Sequence, residues 1–529
     1  MDAEVLIVGA GPTGLTLAID LGRRGVKCTV LEQKPAPQFL PKMERCNART
    51  MEIYRRMGIA PQIRAAGLPA HCPMDVFIVL SLAEPPLYHL PYPSVAQYRE
   101  RIARCEDASQ PLEPYQLVSQ YTLEPLLKSI AESLPGVTVR YGCEFLSFTQ
   151  SPHEIEAMTS QGAMRAAYLV GCDGGSSAVR RQLGIELSGD ANLLELRQAL
   201  YCCEDLYERI PIGKGRHYHV ADGQHSFLIV QDSTRHFTLH AVVERDEDMA
   251  AQFEKVIALP LEYEMLYVGK WRQNLLLAER YAEGRVFIAG DAAHLVIPTG
   301  GLGMNSGVGD AVDLSWKLAA TLRGWGGPGL LASYEIERRQ VGSRNVAASR
   351  FAAQGRRKWR AMYRPDIRDN PETRANLARV AYAEQPKSNE MIGAELGYRY
   401  ENSPLVWPEP GEPPAQDFIE YRPTTWPGAR LPHVWLADGS AVQDRLGYDL
   451  GFTLLRFSDV DADPLAQAFV SLRAPFRILD LRDARARELY GRELILLRPD
   501  MHVAWRGDRM PADPARLARL ATGHRPVRP

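Results

Sequence analysis

The sequence predicts an α/β fold, and three observations support this prediction. A short apolar run, Glu4 to Val8, leads into a GxGxxG motif and then into a segment whose apolar residues have helical spacing. Two later apolar runs deliver the acids Asp173 and Asp291, each beside a glycine. Beyond residue 415, strand and helix patterns alternate as in a small α/β domain. The first observation is typical of a Rossmann-like domain.

The first 32 residues carry the N-terminal motif. Gly9 allows the tight turn, Gly11 lets backbone N–H groups approach a pyrophosphate, and Gly14 lets the following helix pack on the strand. A second strand, Val26 to Leu31, leads to Glu32, where a carboxylate accepts hydrogen bonds from a ribose 2′-hydroxyl and disfavours a 2′-phosphate. Because all these parts occur in register, we expect a bound dinucleotide. The motif alone does not separate NAD from FAD.

Two downstream segments add to this prediction. The first, Tyr168 to Ser177, is a strand that leads into an Asp-Gly turn, with Arg180 soon after; an ordinary surface turn is the alternative interpretation. In the second, a buried strand delivers Asp291, and a glycine-rich loop from Pro298 leads into a helix that begins near Asn305. Backbone N–H groups of such a loop, beside a helix N-terminus, stabilise negative charge on a bound ring.

In this order, the three motifs resemble those of FAD-dependent aromatic hydroxylases of the para-hydroxybenzoate hydroxylase type, which are group A flavoprotein monooxygenases. The resemblance covers about residues 1–350. It implies a Rossmann-like FAD-binding domain with an inserted α+β substrate domain, and the stretch Leu497 to Arg506 resembles the closing hairpin of the C-terminal thioredoxin-like domain of larger members. The expected boundaries are 1–75, 105–184 and 281–355 for the FAD-binding domain, 76–104 and 185–280 for the substrate-binding domain, 356–414 for a helical or linker region, and 415–529 for the thioredoxin-like domain.

The resemblance also implies cofactor-binding roles. The three glycines of the GxGxxG motif are expected at the FAD pyrophosphate, and Glu32 at the adenosine ribose. Asp291 is expected at the ribityl chain, and Gln120, ahead of a predicted helix, at the flavin. Donors to the pyrimidine edge of the isoalloxazine are expected at the start of the later helix, from Gly303, Met304 and Asn305.

Five further positions carry expectations from the same resemblance. Relatives usually place an arginine where this chain has Lys42, with Arg45 three residues on, and which of the two reaches the cofactor is left open. Asp173 belongs to a segment that serves both FAD and the nicotinamide co-substrate. Arg180 is expected either to anchor NAD(P)H phosphates or to form an ion pair. Pro298 is expected to line the reaction pocket.

The family reaction reduces FAD with NADH or NADPH, adds O₂ to form a flavin C4a-hydroperoxide, and transfers one oxygen atom to an electron-rich ring. No second GxGxxG motif follows a strand, so the nicotinamide is expected to visit transiently, and the choice between NADH and NADPH is left open. The chemistry requires a site that excludes water and a base that titrates near neutrality.

Candidate catalytic residues come from the predicted substrate domain. Strand patterns at Arg216–Val220, Ser226–Gln231 and His236–Val243 predict an antiparallel sheet over the flavin. Alternation along the first of them puts the two histidines that flank Tyr218 on one face and Tyr218 on the other. His225 and Tyr218 are predicted as the general base or phenol-anchoring group, against the alternative that these are rim or surface side chains.

Composition limits the partners of the protein. Lys+Arg 62 against Asp+Glu 64 gives a formal net charge of −2, which does not indicate a nucleic-acid-binding surface. All eight cysteines lie in the first 203 residues without metal-ligand spacing, so we expect reduced thiols, no metal site and no thiol exchange in the C-terminal domain. With no signal peptide and no membrane-spanning apolar run in the sequence, we expect a cytoplasmic protein.

The sequence therefore predicts an FAD-dependent monooxygenase that uses NADH or NADPH and O₂ to hydroxylate a small phenolic or polycyclic aromatic substrate. Two alternatives are a flavin-dependent tailoring oxidase of a natural-product ring system and a flavin-binding protein without oxygenase activity. The C-terminal domain is assigned to structure or oligomer contacts, and a homodimer is one option.

Overall fold

The computed structural model describes residues 1–389, 391–448 and 451–524. Parts of the predicted linker and thioredoxin-like segments, at residues 390, 449–450 and 525–529, lie outside the described residues. The strands are β1 (Ala3–Val8), β2 (Cys28–Glu32), β3 (Arg45–Cys46), β4 (Val76–Val79), β5 (Tyr88–Leu90), β6 (Gln116–Leu117), β7 (Val137–Tyr141), β8 (Phe145–Gln150), β9 (Ile155–Thr159), β10 (Gly162–Gly171), β11 (Leu187–Cys202), β12 (His217–Val220), β13 (Phe227–Val230), β14 (His236–Ala241), β15 (Glu264–Ala278), β16 (Ala282–Glu283), β17 (Val286–Ile288), β18 (His294–Leu295), β19 (Phe452–Arg456), β20 (Phe476–Asp480), β21 (Leu494–Leu497) and β22 (Val503–Gly507).

The helices cover the sheet faces and link the domains. They are α1 (Pro12–Arg23), α2 (Ala48–Arg56), α3 (Ala60–Ala66), α4 (Val95–Ala103), α5 (Gln120–Glu132), α6 (Ala178–Gln182), α7 (Leu206–Arg209), α8 (Asp248–Ile257), α9 (Gly303–Leu322), α10 (Ala332–Arg360), α11 (Pro371–Glu384), α12 (Ile392–Leu396), α13 (Val442–Leu446), α14 (Asp463–Ser471), α15 (Ala484–Tyr490) and α16 (Pro514–Ala521). No helix in the described part of the chain combines the length and apolar character needed to cross a bilayer.

The first sheet lies in the predicted FAD-binding segments and has the order β16-β17-β10-β1-β2-β7, with β9 beside β10 and β8 beside β9. Strand β1 pairs in parallel with β2 and β10, and β10 pairs in parallel with β17. Leu6 and Ile7 at the centre are fully buried, which is typical of a parallel sheet covered on both faces. The carboxyl ends of four adjacent strands therefore meet at one edge.

The second sheet has the order β18-β15-β11-β14-β13-β12-β4-β5. Its strands β12, β13 and β14 coincide with the three predicted strand patterns and pair in the predicted antiparallel way. Along β12, Tyr218 stacks on Phe77 in a hydrophobic core, whereas His217 and His219 both contact Phe227. This confirms the predicted alternation of side chains.

The third sheet forms the C-terminal domain and has the order β20-β19-β21-β22. Strands β19 and β20 are parallel, and β21 is antiparallel to both β19 and β22. With helices α14, α15 and α16, this small α/β unit agrees with the predicted thioredoxin-like domain. The last cysteine of the chain is Cys203, so the unit has no thiol with which to exchange.

A buried charge cluster joins the C-terminal domain to the rest of the protein. Arg498, which follows β21, donates hydrogen bonds to Asp313 of α9, to Glu337 of α10 and to Asp500. Lys317 also donates to Asp313 and Glu337. The side chains of all five are at most 2% exposed. Because charges this deep are not screened by water, each depends on its partners.

We expect Arg498→Met to destabilise the protein by about 3–5 kcal/mol, because three buried carboxylates would then share one cation. Urea unfolding followed by tryptophan fluorescence measures the loss, and the ring of Trp316 lies 5.3 Å from the Arg498 guanidinium carbon. The control is Arg482→Met, whose ion pair with Asp459 is exposed and contributes far less. Equal stability of the two variants would contradict a role for Arg498 in holding the domains together.

Candidate active site

The sequence motifs meet at one edge of the first sheet. Strand β1 leads into the glycine turn, β2 ends at Glu32, β10 leads into Asp173, and β17 leads into Asp291. These strands are adjacent and parallel, so the segments that follow them lie side by side. In open α/β sheets, ligands bind outside the carboxyl ends of the strands.

The glycine turn has the geometry that its motif predicts. Gly9 has a φ of +105°, and a Cβ there would overlap the carbonyl oxygen of Cys172, while a Cβ on Gly14 would overlap the carbonyl oxygen of Gly9. Gly11 is the N-cap of α1, and a Cβ on it would meet no atom within 4 Å. Backbone with open space at a helix N-terminus fits a phosphate group.

Glu32 ties the end of β2 to this turn. Its Oε2 accepts a hydrogen bond from the main-chain N–H of Ala10 at 3.0 Å, and its Oε1 accepts one from Lys34 at 3.0 Å. A carboxylate has about four lone-pair sites, so acceptor capacity remains for ribose hydroxyls.

The segment after β17 is held by a buried carboxylate that the sequence prediction missed. Asp310 of α9 accepts hydrogen bonds from the N–H of Gly290 at 3.0 Å, from Nε2 of His294 at 2.7 Å and from Nε of Arg338 at 2.7 Å. Burial raises the pKa of this carboxyl, but Arg338 and His294 outweigh that effect and lower it below its ordinary value. Acidic residues within a helix that is largely apolar were the available sequence signal.

Neighbouring Asp291 points in the other direction. Its side chain is open to the large cavity described below, while the surrounding protein desolvates the carboxyl and raises its pKa. Lys42, on the same cavity, acts electrostatically in the opposite sense and lowers it. Asp291 is thus a hydrogen-bond acceptor on the cavity wall, where the sequence predicts the ribityl chain.

The glycine-rich loop is fastened by Asn305 and Arg45. The Asn305 side chain donates to the carbonyl oxygen of Gly301 at 2.6 Å and accepts from the N–H of Asn47 at 2.9 Å. Arg45 donates to the carbonyl oxygen of Gly300 at 2.7 Å. These side chains therefore hold the loop in shape. Because the Asn305 side chain is engaged in this way, its predicted contact with the cofactor would come from its main-chain N–H group.

The first turn of α9 offers donors to the cavity. In the described parts of the chain, the main-chain N–H groups of Gly303, Met304 and Asn305 have no hydrogen-bond partner, and all three residues line the cavity. The N-terminal end of a helix also carries a partial positive charge. This arrangement stabilises negative charge on a ring bound beside the loop.

A cavity of about 650 Å³ extends from this loop to the second sheet. Eight of the predicted site positions in the FAD-binding segments line it, namely Lys42, Arg45, Gln120, Asp291, Pro298, Gly303, Met304 and Asn305. The glycine turn, Glu32, Asp173 and Arg180 do not line it. The opposite wall comes from the second sheet and α10 and includes Leu194, Leu196, His217, Phe227, Ile229, His240, Trp271 and Arg356.

A glutamate and a histidine form a pair on this wall. Nε2 of His217 donates to both carboxylate oxygens of Glu44, at 2.9 and 3.0 Å. Burial lowers the pKa of His217 to about 4, so the imidazole is neutral at neutral pH. Burial alone would raise the pKa of Glu44, but His217 and nearby arginines lower it to about 2. The pair presents a carboxylate to the cavity.

A second histidine of the wall has a defined proton position. The indole N–H of Trp271 donates to Nδ1 of His240 at 3.1 Å. Burial lowers the pKa of His240 to about 4, so its single ring proton is on Nε2 at neutral pH. His240 therefore acts as a hydrogen-bond donor. The sequence placed it in the histidine-rich sheet without giving it a role.

The two predicted catalytic side chains of the sheet have different positions. Tyr218 is fully buried away from the cavity, and its hydroxyl donates to the carbonyl oxygen of Gly213 and accepts from the N–H of Gly215. This placement argues against Tyr218 as a catalytic residue, because strand alternation turns it into the core. His225 lies on the β12–β13 turn with a φ of +55°, and it is an exposed residue of the cavity wall.

Asp173 and Arg180 support the site from behind. Asp173 accepts hydrogen bonds from the N–H groups of Ala178 and Val179 at the start of α6. Arg180 is buried and donates to the carbonyl oxygens of Gly175 and Ala292. Neither the phosphate anchor nor the ion pair expected for Arg180 fits these contacts, since its guanidinium bonds to main-chain carbonyls in the interior.

Residues 2–349 match the family described as FAD binding domain, and residues 424–523 match the family described as aromatic-ring hydroxylase, C-terminal. The chain belongs to the FAD-dependent aromatic-ring hydroxylases. The two matches cover the first sheet, most of the cavity lining and most of the C-terminal domain, and they confirm the predicted family. The site fits this family's cofactor: the open backbone at Gly11, the acceptor Asp291 and the unpaired N–H groups that begin α9 suit the pyrophosphate, the ribityl chain and the flavin ring.

Individual hydroxylases and related enzymes share nearly the full length of the chain. FAD-dependent monooxygenase apdD of Emericella nidulans is 34% identical over 95% of this chain and 87% of its own. Aklavinone 12-hydroxylase RdmE of Streptomyces purpurascens is 32% identical over 97% of both chains. The structure of RebC with bound 7-carboxy-K252c is 32% identical over 99% of both chains, with a TM-score of 0.91. The predicted fold class is confirmed.

We expect Asp310→Asn to lower FAD retention about tenfold or more, because the amide cannot hold both His294 and Arg338 as an anion does. Flavin absorbance per mole of purified protein, followed during dialysis, measures the effect. Asp190→Asn, which breaks only the exposed ion pair with Arg350, is the matched control. Full FAD retention by Asp310→Asn would remove Asp310 from the cofactor site.

Proposed function

We propose that this enzyme uses NADH or NADPH and O₂ to hydroxylate a phenolic or polycyclic aromatic substrate. One continuous cavity supports this proposal most directly. It extends from the glycine-rich loop before α9 to the wall of the second sheet. A ring bound against that wall lies in the same chamber as the residues suited to the flavin. A homodimer and a cytoplasmic location remain predictions from the sequence.

When bound, FAD would supply two kinds of chemistry: it would accept electrons from the nicotinamide, and in its reduced form it would activate O₂. Gly9, Gly11 and Gly14 would hold its pyrophosphate, Glu32 its ribose and Asp291 its ribityl chain. The backbone of Gly303, Met304 and Asn305 would meet the flavin ring, with Gln120, Lys42 and Arg45 beside it. Of these last three, Arg45 is fixed by the loop, Gln120 donates to Glu124 at 3.0 Å, and Lys42 is exposed on the cavity.

Part of the chamber wall is apolar. Leu194, Leu196 and Ile229 cover one side, and Pro298 lies on the loop side. Apolar walls limit the access of water, which would otherwise divert activated oxygen to unproductive products.

Hydrogen bonds from the wall activate and orient the substrate. The Glu44 carboxylate accepts a hydrogen bond from a ring hydroxyl, which increases the electron density of the ring, and His217 keeps that carboxylate in place. His240 donates from Nε2 to a substrate oxygen. His225 lies on the wall near the turn, where its role as a base stays a prediction.

Similarity to relatives favours fused-ring substrates over simple phenols. The cavity of about 650 Å³ would hold the flavin ring together with the substrate. One relative of 32% identity is named as an aklavinone 12-hydroxylase, and another of 30% identity is described as a putative polyketide hydroxylase. Tailoring of a natural-product ring system is therefore the form of the proposed reaction that these relatives favour.

We expect fused-ring phenols to stimulate NAD(P)H oxidation by the FAD-loaded enzyme and to gain one labelled oxygen atom from ¹⁸O₂, measured by oxygen uptake and mass spectrometry. Simple phenols provide the comparison and should stimulate less, because they fill less of the cavity. Oxidation without any aromatic stimulation, across both panels, would favour the flavin-binding protein without oxygenase activity.

We expect Glu44→Gln to lower kcat for a hydroxylated ring about 10²-fold, because it removes the charged acceptor, while FAD content stays unchanged. Steady-state kinetics with the phenol and its methyl ether test this, since the ether has no hydroxyl to donate. Glu84→Gln is the control, because that carboxylate lies on the surface with Arg368 and Ser81. An equal loss with phenol and ether would contradict the proposed hydrogen bond.

A further inference from the structure

Three arginines at the end of α10 line the cavity without an acidic partner. Among the described residues, Arg356, Arg357 and Arg360 form no ion pair. Lys358, in the same turn, is by contrast paired with Glu384 and does not line the cavity. In this last turn of α10, the arginines without an ion pair are therefore the ones that line the cavity.

Arg356 is held in place but is not neutralised. Its guanidinium carbon lies 4.8 Å from the centre of the Phe227 ring, and its Nε is buried without a hydrogen-bond partner. Burial and the neighbouring Arg360 lower its pKa to about 9. Glu44 acts on it electrostatically, but its carboxylate is hydrogen-bonded to His217 and forms no ion pair with Arg356.

Arg360 completes the cationic surface. It donates to the carbonyl oxygen of Ser226 at 3.0 Å and lies over the ring of Trp359. Its Nη1 is buried and has no partner among the described residues. Burial also lowers the pKa of this side chain, to about 10. Asp222 acts on Arg360 electrostatically but forms no ion pair with it. A desolvated cation without a directly bound anion is costly, so an anionic group bound here would be stabilised.

We propose that Arg356 and Arg360 bind a carboxylate on the aromatic substrate, so that the enzyme selects acidic ring systems. This inference rests on the proposed hydroxylase function and names the substrate class of the same site. A guanidinium matches a carboxylate through two parallel hydrogen bonds, and unused N–H groups of both arginines are available for them. The aromatic ring of the substrate would lie against Phe227 and Ile229, which line the cavity beside Arg356.

A phosphate of NAD(P)H is the other anion that could reach the cavity. The position of the arginines favours the substrate, because they contact Phe227 of β13 and Ser226 just before it, on the side of the second sheet and away from the nucleotide-binding edge of the first. A binding measurement without NAD(P)H separates the two anions, because the substrate carboxylate is then the only one of them present.

The test compares a hydroxynaphthoic acid with its carboxamide, which has the same shape without the charge. Isothermal titration of the FAD-loaded protein, without NAD(P)H, measures both affinities. We expect the wild type to prefer the acid about tenfold or more. Arg356→Gln and Arg360→Gln should each weaken the acid and leave the amide unchanged. Lys358→Gln removes one charge from the same turn and should keep the preference.

Three results of the titration would overturn the proposal. They are equal affinity of the wild type for acid and amide, absence of acid binding up to about 1 mM, and an equal loss of preference in Lys358→Gln. A fourth contrary result is a slower NAD(P)H-dependent reduction of FAD in Arg356→Gln with the acid preference intact, which would assign the arginines to the nicotinamide. Thermal melting confirms that each variant is folded, and two separate arginine variants keep the test valid if one is not.

Failure of this proposal is distinct from failure of the proposed function. An acid preference with no substrate-stimulated NAD(P)H oxidation would leave the arginine site and contradict the hydroxylase. Substrate-stimulated NAD(P)H oxidation with no preference for the acid would support the hydroxylase and contradict the arginine site.

Discussion

The buried carboxylate of Asp310 is the contact on which the arrangement of the site depends. It joins the turn after β17, through the Gly290 N–H, to α9 and to Arg338 of α10. The same turn delivers Asp291. Helix α9 begins with the N–H groups of Gly303, Met304 and Asn305, which have no partner among the described residues. An anion in the protein interior requires several donors at once, so these three elements cannot shift independently. The cavity lies between parts that this carboxylate fixes.

Around that centre, the enzyme divides its charges by function. In the cluster of Arg498 with Asp313 and Glu337, which holds the structure together, the arginine and the carboxylates are paired with one another. Groups on the cavity are left with unused hydrogen-bonding capacity, as in Glu44, His240 and Arg356. The difference is physically reasonable, because an unpaired polar group is costly and persists where a ligand can satisfy it.

Much of the fold could be predicted from the sequence, because its signals are local. Strand, turn and helix patterns predicted the glycine turn, the antiparallel strands β12 to β14 and the C-terminal α/β domain. Within the site, the predicted positions that line the cavity follow from motifs. Asp310, Glu44 and Arg356 were missed because their roles depend on partners distant in sequence. Tyr218 was chosen for its chemistry, although its place in the strand alternation turned it into the core.

The cluster around Arg498 also determines what the C-terminal domain is to the rest of the enzyme. Asp313 and Glu337 belong to helices of the flavin-binding part, yet a principal counter-ion for both comes from beyond residue 490. A shortened chain that ends near the linker would keep two interior acids with Lys317 alone to balance them. The C-terminal domain is thus required for the charge balance of the flavin-binding part. Chimeras between relatives must therefore exchange Arg498 together with its partners Asp313 and Glu337.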